Sequence, residues 1–287
     1  MLRKPFNTLA ILLLLQLSSA ATAEPVRVMS FNIRYGSAPD GEDAWSFRRE
    51  LVTKVIVDEK PDVLGVQEAL REQLDELTEA LPQYTKVGIG RNAEGGGEYS
   101  AILYRTSRFD LSDAGTFWLS ATPDQPGSKT WGNELPRICT WVRLLDRTNN
   151  RRFLVFNTHW DHQSQPARLQ GAELLAKQID EIGGAGEPAI VTGDFNAAPK
   201  NPAIRALVKG GSVQDTFTAI HPNEQNVGTF NGFGKTQQAR KIDAVLTTDH
   251  WQVEDAAIVR THEGNRYPSD HFPVTATVSL SDDGDKN

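Results

Sequence analysis

Four short stretches spread over the chain place acids, amides and imidazoles at the ends of apolar runs: Asn32 in MSFNIRYG, Glu68 in DVLGVQE, Asp194 and Asn196 in IVTGDFN, and Asp270 with His271 in YPSDHFPV. In each, an apolar run such as Val63-Leu64-Gly65-Val66 or Ala189-Ile190-Val191 suits a buried strand, and the polar residues follow where that strand emerges. A buried acid costs free energy unless a cation or a hydrogen bond meets it, so several acids at strand ends call for an ion. The pattern is that of a metal-assisted phosphoester-cleaving site.

The elements that must carry these residues follow from periodicity and breakers. Residues 26–33 and 62–66 read as strands, and 47–58 as a helix through Leu51, Val52, Val55 and Ile56. A second helix over 70–81 is ended by Pro82. Residues 84–90 and 100–104 pair across a glycine-rich loop at 92–97, and 138–145 with 153–158 around Asn149-Asn150. The spacing predicts a helix over 166–182 stopped at Gly183-Gly184, then strands into Asp194 and over 242–246, 253–259 and 274–280. Residues 116–134, with Trp118 and Trp131 but no periodicity, read as an ordered surface loop, and 282–287 as a frayed tail. Strands and helices that mix without strict alternation argue for an α+β or layered sandwich over a doubly wound sheet.

The first residues read as an export signal: Arg3 and Lys4, an apolar stretch over 9–17, then Ala21-Thr22-Ala23 before Glu24. Cleavage after Ala23 would leave 24–287 as one domain, bound for the periplasm or the medium. No later stretch reaches the roughly 18 uninterrupted apolar residues of a membrane helix. The single cysteine, Cys139, can form no internal disulfide, so stability must come from a packed core. Without the signal, 28 basic side chains face 37 acidic ones, a net charge of −9. Polyanion-binding surfaces are usually basic, so the balance disfavours nucleic acid, although a local patch of Arg34, Arg137, Arg151, Arg152 and Arg168 would accommodate it.

Together SFN, QE, NTHWDH, GDFN, KID and SDHFPV, in that order over nearly all of 24–287, resemble the motifs of the endonuclease/exonuclease/phosphatase superfamily. The resemblance implies an α+β fold, a four-layer α/β/β/α sandwich of two packed mixed sheets flanked by helices, with the site at one rim and Mg²⁺ or Mn²⁺ as the ion. It matches Asp243 to the partner of His271, since a carboxylate behind an imidazole fixes its tautomer and stabilises its charged form. It also implies that His159 contacts the phosphate or assists the leaving group. Asp161 and His162 read as loop, with Asp161 as a brace for His159 or His162, and a zinc site on His159 and His162 lacks a cysteine or third histidine at suitable spacing.

Glu68 is the leading metal ligand, because Mg²⁺ is a hard ion held by one or two carboxylates, waters and the substrate phosphate. Asn32 would support it on the metal or on a phosphate oxygen, and Asp270 would bind or orient a metal from the opposite side. The plain alternative for Glu68 is an acid favoured at a helix N-terminus. Asp194 would orient or deprotonate the attacking water and Asn196 donate to a phosphoryl oxygen, the plain alternative being a Gly-Asp-Phe-Asn turn. His271 would face the phosphate, or belong with Asp270 to a cap-like turn before a strand. Toward substrate, Arg34 and Arg137 are either bidentate phosphate clamps or surface ion pairs. Phe230 and Phe233, bracketed by Gly228, Gly232 and Gly234, are the aromatic candidates, ahead of Trp118, Trp131 and Trp160.

The expectation is an exported, metal-dependent, monomeric phosphoesterase for a phosphorylated small-molecule, lipid or glycan substrate, acting on a monoester or diester. A nuclease with the same site is the rival. An inactive binding module is disfavoured because Asn32, Glu68, Asp194, Asn196, Asp243 and His271 are all present.

Overall fold

Two parallel strand pairs, each crossing under a helix, set the architecture. Strand β1 (Val26–Asn32) lies beside β2 (Val63–Ala69) through helix α1 (Trp45–Glu59). Far along the chain, β7 (Arg151–His159) lies beside β8 (Ala189–Asp194) through α3 (Gln165–Gly183). Parallel strands need such crossovers and end up covered on both faces, which is why these segments are apolar almost throughout. The computed structural model describes residues 24–184, 186–236 and 239–281, so the expected export signal and polar tail lie outside the described residues.

Antiparallel neighbours complete a six-stranded mixed sheet around each pair. The first runs β11 (Trp251–Ile258), β12 (Val274–Leu280), β1, β2, β4 (Tyr99–Arg105), β3 (Tyr84–Val87). The second runs β5 (Phe109–Trp118), β6 (Ile138–Asp146), β7, β8, β10 (Asp243–Thr248), β9 (Val213–Asp215). Helices α1 and α2 (Arg71–Ala80) pack Val52, Val55, Leu74 and Leu77 onto Phe31, Leu64 and Val66 of the first sheet. Helices α3 and α4 (Pro202–Gly210) pack Ala172, Leu175 and Leu207 onto Leu154, Phe156 and Val191 of the second. A third apolar cluster, including Val28, Val63, Val142, Val155, Ile190 and Val245, fills the space between the sheets. The expected α/β/β/α sandwich is present.

Most predicted elements fall within one to three residues of the observed ones. The loop expected from residue 116 is in part strand: β5 continues to Trp118 as an edge strand with a register shift between Leu111 and Asp113. Its charges and bulge protect an exposed edge, and they also mask the alternation that reveals a strand. Strand β9, helix α4 and the short helix α5 (Thr216–Ile220) were not anticipated.

Along the inward faces, apolar residues give way to polar ones as the parallel strands approach one rim. Asn157 stands at the centre of this change. Its Nδ2 donates to the carbonyls of Val66 (2.9 Å) and Ala101 (2.8 Å) across the interface, while its Oδ1 accepts from Gln67 Nε2 (2.6 Å) and Thr192 Oγ1 (3.0 Å). Gln67 also donates to Ser30 Oγ at 3.2 Å. Two residues beyond Ser30, Asn157 and Thr192 on the same pleated face come Asn32, His159 and Asp194. The sheets approach closely enough for this network only because residue 65 is glycine: a Cβ there would lie 2.1 Å from Thr192 Oγ1 and 2.7 Å from Asn157 Oδ1.

Gly65→Ala should therefore destabilise the protein by about 1–3 kcal/mol, the usual range for overpacking a filled interior. Thermal or urea denaturation measures it, and an unchanged midpoint would mean the interface is looser than described.

Candidate functional site

Strand register delivers part of the site directly. His159 of β7 and Asp243 of β10 are both the cross-strand partners of Asp194. Asp243 Oδ2 lies 2.9 Å from His271 Nδ1, and His271 Nε2 lies 3.8 Å from Asp194 Oδ2. From the opposite sheet, Asn32 Nδ2 donates to Glu68 Oε1 and to Asp194 Oδ2, both at 3.0 Å. Glu68, Asp194 and His271 each present a ligand atom within 4.8 Å of the others.

Glu68 reaches this place through a break in the pleat. Gln67 pairs with Ser100 and Ala69 with Tyr99, so Glu68 is an extra residue on β2, at a left-handed φ of 62°. A bulge of this kind re-aims one side chain. Without it, Glu68 would follow Val66 toward the helices. Tyr35 N–H donates to Glu68 Oε2 at 3.2 Å and holds the carboxylate in its new direction. Asn196 is likewise left-handed, at φ 48°, and its N–H donates to Asp194 Oδ1 at 2.9 Å. The GDFN segment is thus both the tight turn of the plain reading and part of the site.

Glu68, His159, Asp194, Asn196 and His271 line one pocket of about 630 Å³, with Arg34, Tyr35, Arg91, Glu98, Leu135, Arg137, His162, Phe230, Arg240, Ile242 and Asp270 also in its wall, while Asn32 and Asp243 stand behind it. Burial raises the Asp194 pKa to about 7, reinforced by Asp243 and Glu68 and opposed by His271 and the Asn196 N–H. Burial works against a charge on His271, but Asp243, Asp194 and Asp270 outweigh it and hold its pKa well above the usual histidine value. His159 moves the other way, because burial and the nearby Arg137 and Arg91 push its pKa well down. Neutral His159 accepts at Nε2 from Asn196 Nδ2 (3.1 Å) and carries its hydrogen on Nδ1, on the side of Glu98 (3.8 Å). Burial also raises the Asp270 carboxyl, with Glu68 adding to the effect and His271 and Arg34 opposing it. This crowd of buried carboxyl oxygens fits a hard divalent cation, and Glu68 belongs to the group of ligand atoms lying within 4.8 Å of one another, whereas Asp270 lies outside it.

Several expectations change in detail. Asn32 turns its amide hydrogens to the two acids and so bridges Glu68 and Asp194, while its Oδ1 accepts from Arg34 N–H at 3.0 Å and keeps one lone pair. The Asn196 amide donates to His159 and to the Trp160 carbonyl (3.1 Å), so reaching a phosphoryl oxygen requires giving up one of these. Arg34 grips Asp40 through two 3.0 Å hydrogen bonds and stands 3.9 Å from Asp270. Buried Arg137 donates from Nη2 to His162 Nδ1 at 2.9 Å, and its Nε and Nη1 make no hydrogen bond. Phe230 sits edge-on to His271, ring centroids 5.1 Å apart, but Phe233 is absent from the pocket wall and packs over the Arg48 guanidinium at 5.7 Å. Trp118 and Trp160 are core residues, and Trp131 packs against that core. Asp161 accepts the N–H groups of Gln163 and Ser164, bracing the loop into α3.

Sequence reasoning missed the ion pair of Arg91 with Glu98, two hydrogen bonds of 2.7 Å, which forms part of the wall. The signal was present: the two residues flank the glycine-rich loop, and Arg91 N–H bonds the Glu98 carbonyl to close it.

Residues 29–271 match the family model described as the endonuclease/exonuclease/phosphatase family. Among solved structures, a mannosyl-6-phosphatase of Bacteroides thetaiotaomicron is 34% identical, with a TM-score of 0.82 and coverage of 89% of this chain and 100% of that one. An endonuclease/exonuclease/phosphatase family protein of the same organism is 33% identical, with a TM-score of 0.83 over 90% of this chain and 99% of the other. A more distant relative is the CCR4-Not complex 3′-5′-exoribonuclease subunit Ccr4 of Emericella nidulans, 23% identical over 77% of this chain and 43% of its own length. The chain thus spans less than half of that relative.

Asp194 also couples the site to pH. A carboxyl whose folded pKa is raised to about 7 from 3.8 stabilises the metal-free fold below pH about 4, and that contribution is lost as pH rises through about 7. A cation held at Glu68, whose ligand atom lies within 4.8 Å of that of Asp194, favours the ionised form and should reverse the loss. The rise in Tm on adding Mg²⁺ is therefore expected to grow between pH about 5.5 and about 8, and a rise independent of pH would detach Asp194 from the ion.

Proposed function

The chain belongs to the endonuclease/exonuclease/phosphatase family, and from that premise we propose an exported, Mg²⁺- or Mn²⁺-dependent phosphatase that removes a terminal phosphate from a sugar or glycan. Family members are hydrolases acting on phosphoesters. The observation that carries the reading is the convergence of Glu68, Asp194 and His271 within 4.8 Å of one another at a pocket of about 630 Å³. That volume suits a small ligand, and the mannosyl-6-phosphatase neighbour supports a sugar phosphate. Export rests on the sequence of residues 1–23.

Transfer of a phosphoryl group to water requires a base near the ambient pH and donors for the developing oxygen charge. Asp194, at about 7, takes a proton from the attacking water as its oxygen bonds to phosphorus, the bond from phosphorus to the sugar oxygen breaks, and that oxygen leaves as the hydroxyl with a proton from solvent. His271, kept charged by Asp243, donates from Nε2 to a phosphoryl oxygen. Arg137 lies in the pocket wall with Nε paired to Asp161 Oδ2 at 3.5 Å and Nη1 without a hydrogen bond, whereas Arg34 is held by two hydrogen bonds to Asp40. Glu68 would hold the cation, which when bound supplies Lewis-acid stabilisation of phosphoryl charge.

A nuclease shares these residues, and the likeness to an exoribonuclease subunit favours it. The net charge of −9 for residues 24–287 opposes it. Incubating residues 24–287 and Mg²⁺ with hexose 6-phosphates, aryl diesters and single-stranded nucleic acid should show the sugar monoesters cleaved first and all turnover lost in excess chelator. Nucleic acid cleaved ahead of the monoesters would overturn the reading. Asp243→Asn should lower kcat by about 10²–10⁴-fold, the usual contribution of acid–base catalysis, with little change in Tm, and an unaltered kcat would remove the role given to His271.

A further inference from the structure

Charged and hydrogen-bonding groups form the floor of the pocket, yet part of its wall is apolar. Tyr35, Leu135 and Phe230 all line it. Leu135 is the notable member, because 41% of this large apolar side chain stays exposed beside a strongly polar site. Its position is built by the loop ahead of β6: Asn133, itself buried, donates from Nδ2 to the Leu135 carbonyl at 2.8 Å, and Lys129 Nζ donates to the Glu134 carbonyl at 2.6 Å. Tyr35 is steadied by the Arg34 guanidinium over its ring at 4.7 Å, and by its N–H bond to Glu68. Phe230 is fixed by a strand-like bridge to His271 and edge contact with that ring. Three largely apolar side chains, carried on backbone that hydrogen bonds or a strand-like bridge hold, therefore share the wall with the polar groups of the site.

We propose that Tyr35, Leu135 and Phe230 form the leaving-group subsite and recognise the carbon-hydrogen face of a sugar ring. This rests on the phosphatase reading and adds what the enzyme selects. A pyranose presents hydroxyls at its edges and an apolar face. The rim would cover that face, and Arg240 and the Arg91–Glu98 pair, also in the wall, offer polar groups for its edges. Covering part of a leucine and two ring edges has a worth comparable to partial burial of one side chain, about tenfold in affinity.

Leu135→Asn, a change of similar size at a half-exposed position, tests this without disturbing the core. The ratio of kcat/KM for a hexose 6-phosphate to that for methyl phosphate, too small to reach the rim, should fall about tenfold, mainly through KM. Leu135→Met should keep most of the ratio. The free hexose should also become a correspondingly weaker competitive inhibitor of Leu135→Asn. A ratio and an inhibition constant that do not move would overturn the subsite while leaving the phosphatase reading intact. Adenosine 5′-monophosphate turned over faster than the hexose phosphate, with the same dependence on Leu135, would overturn the assignment to sugars. A wild-type protein that cleaves no monoester would overturn both.

Discussion

A single buried amide holds the two sheets in the alignment that the site requires. Asn157 donates to main-chain carbonyls of β2 and β4 and accepts from Gln67 and Thr192, so it bonds both sheets at once. Hydrogen bonds of this kind depend on direction as well as distance, whereas the apolar packing around them does not. A slide between the sheets would break the three of these bonds that cross the interface, to Val66, Ala101 and Gln67, and a buried polar group left without a partner costs about 1–3 kcal/mol. Asn32 and Glu68 come from one sheet, and His159, Asp194 and Asp243 from the other. Their distances depend on that alignment.

From this frame the backbone departs from regular geometry where the chemistry lies. Arg34, Glu68 and Asn196 all have left-handed φ values, 59°, 62° and 48°. Such conformations cost about 1–3 kcal/mol each for residues other than glycine and persist when the surroundings over-determine them. Here the surroundings do so through hydrogen bonds: Asn32 Oδ1 accepts the Arg34 N–H, Glu68 Oε2 accepts that of Tyr35, and Asp194 Oδ1 accepts that of Asn196. The side chains of the site thus hold the turns that aim them.

Burial then sorts the ionisable groups. The same desolvation that raises Asp194 and lowers His159 fails to discharge His271, because three carboxylates face it. Two imidazoles in one pocket end in opposite charge states, and acid and base roles follow from their surroundings. Burial gives the acids their cost, and a cation relieves it, so the demand for an ion and the tuning of the base have one origin.

Much of the fold was legible in the chain: the apolar runs that end in Asn32, Asp194 and His159, the helices broken at Pro82 and Gly184, and the order of the polar motifs. These are local properties, set by runs and spacing of apolar side chains and by backbone preference. Edge strand β5 escaped because an exposed edge is protected by the same charges that hide its pattern. The tertiary structure decided the rest. Periodicity cannot say which residue will break the pleat, so the turning of Glu68 into the site came only with the bulge opposite Tyr99 and Ser100. Nor can it choose partners: Arg34 closes on Asp40, Phe233 turns to Arg48, and Arg91 meets Glu98. Burial and ion pairing depend on distances through space, and those exist only once both sheets have packed.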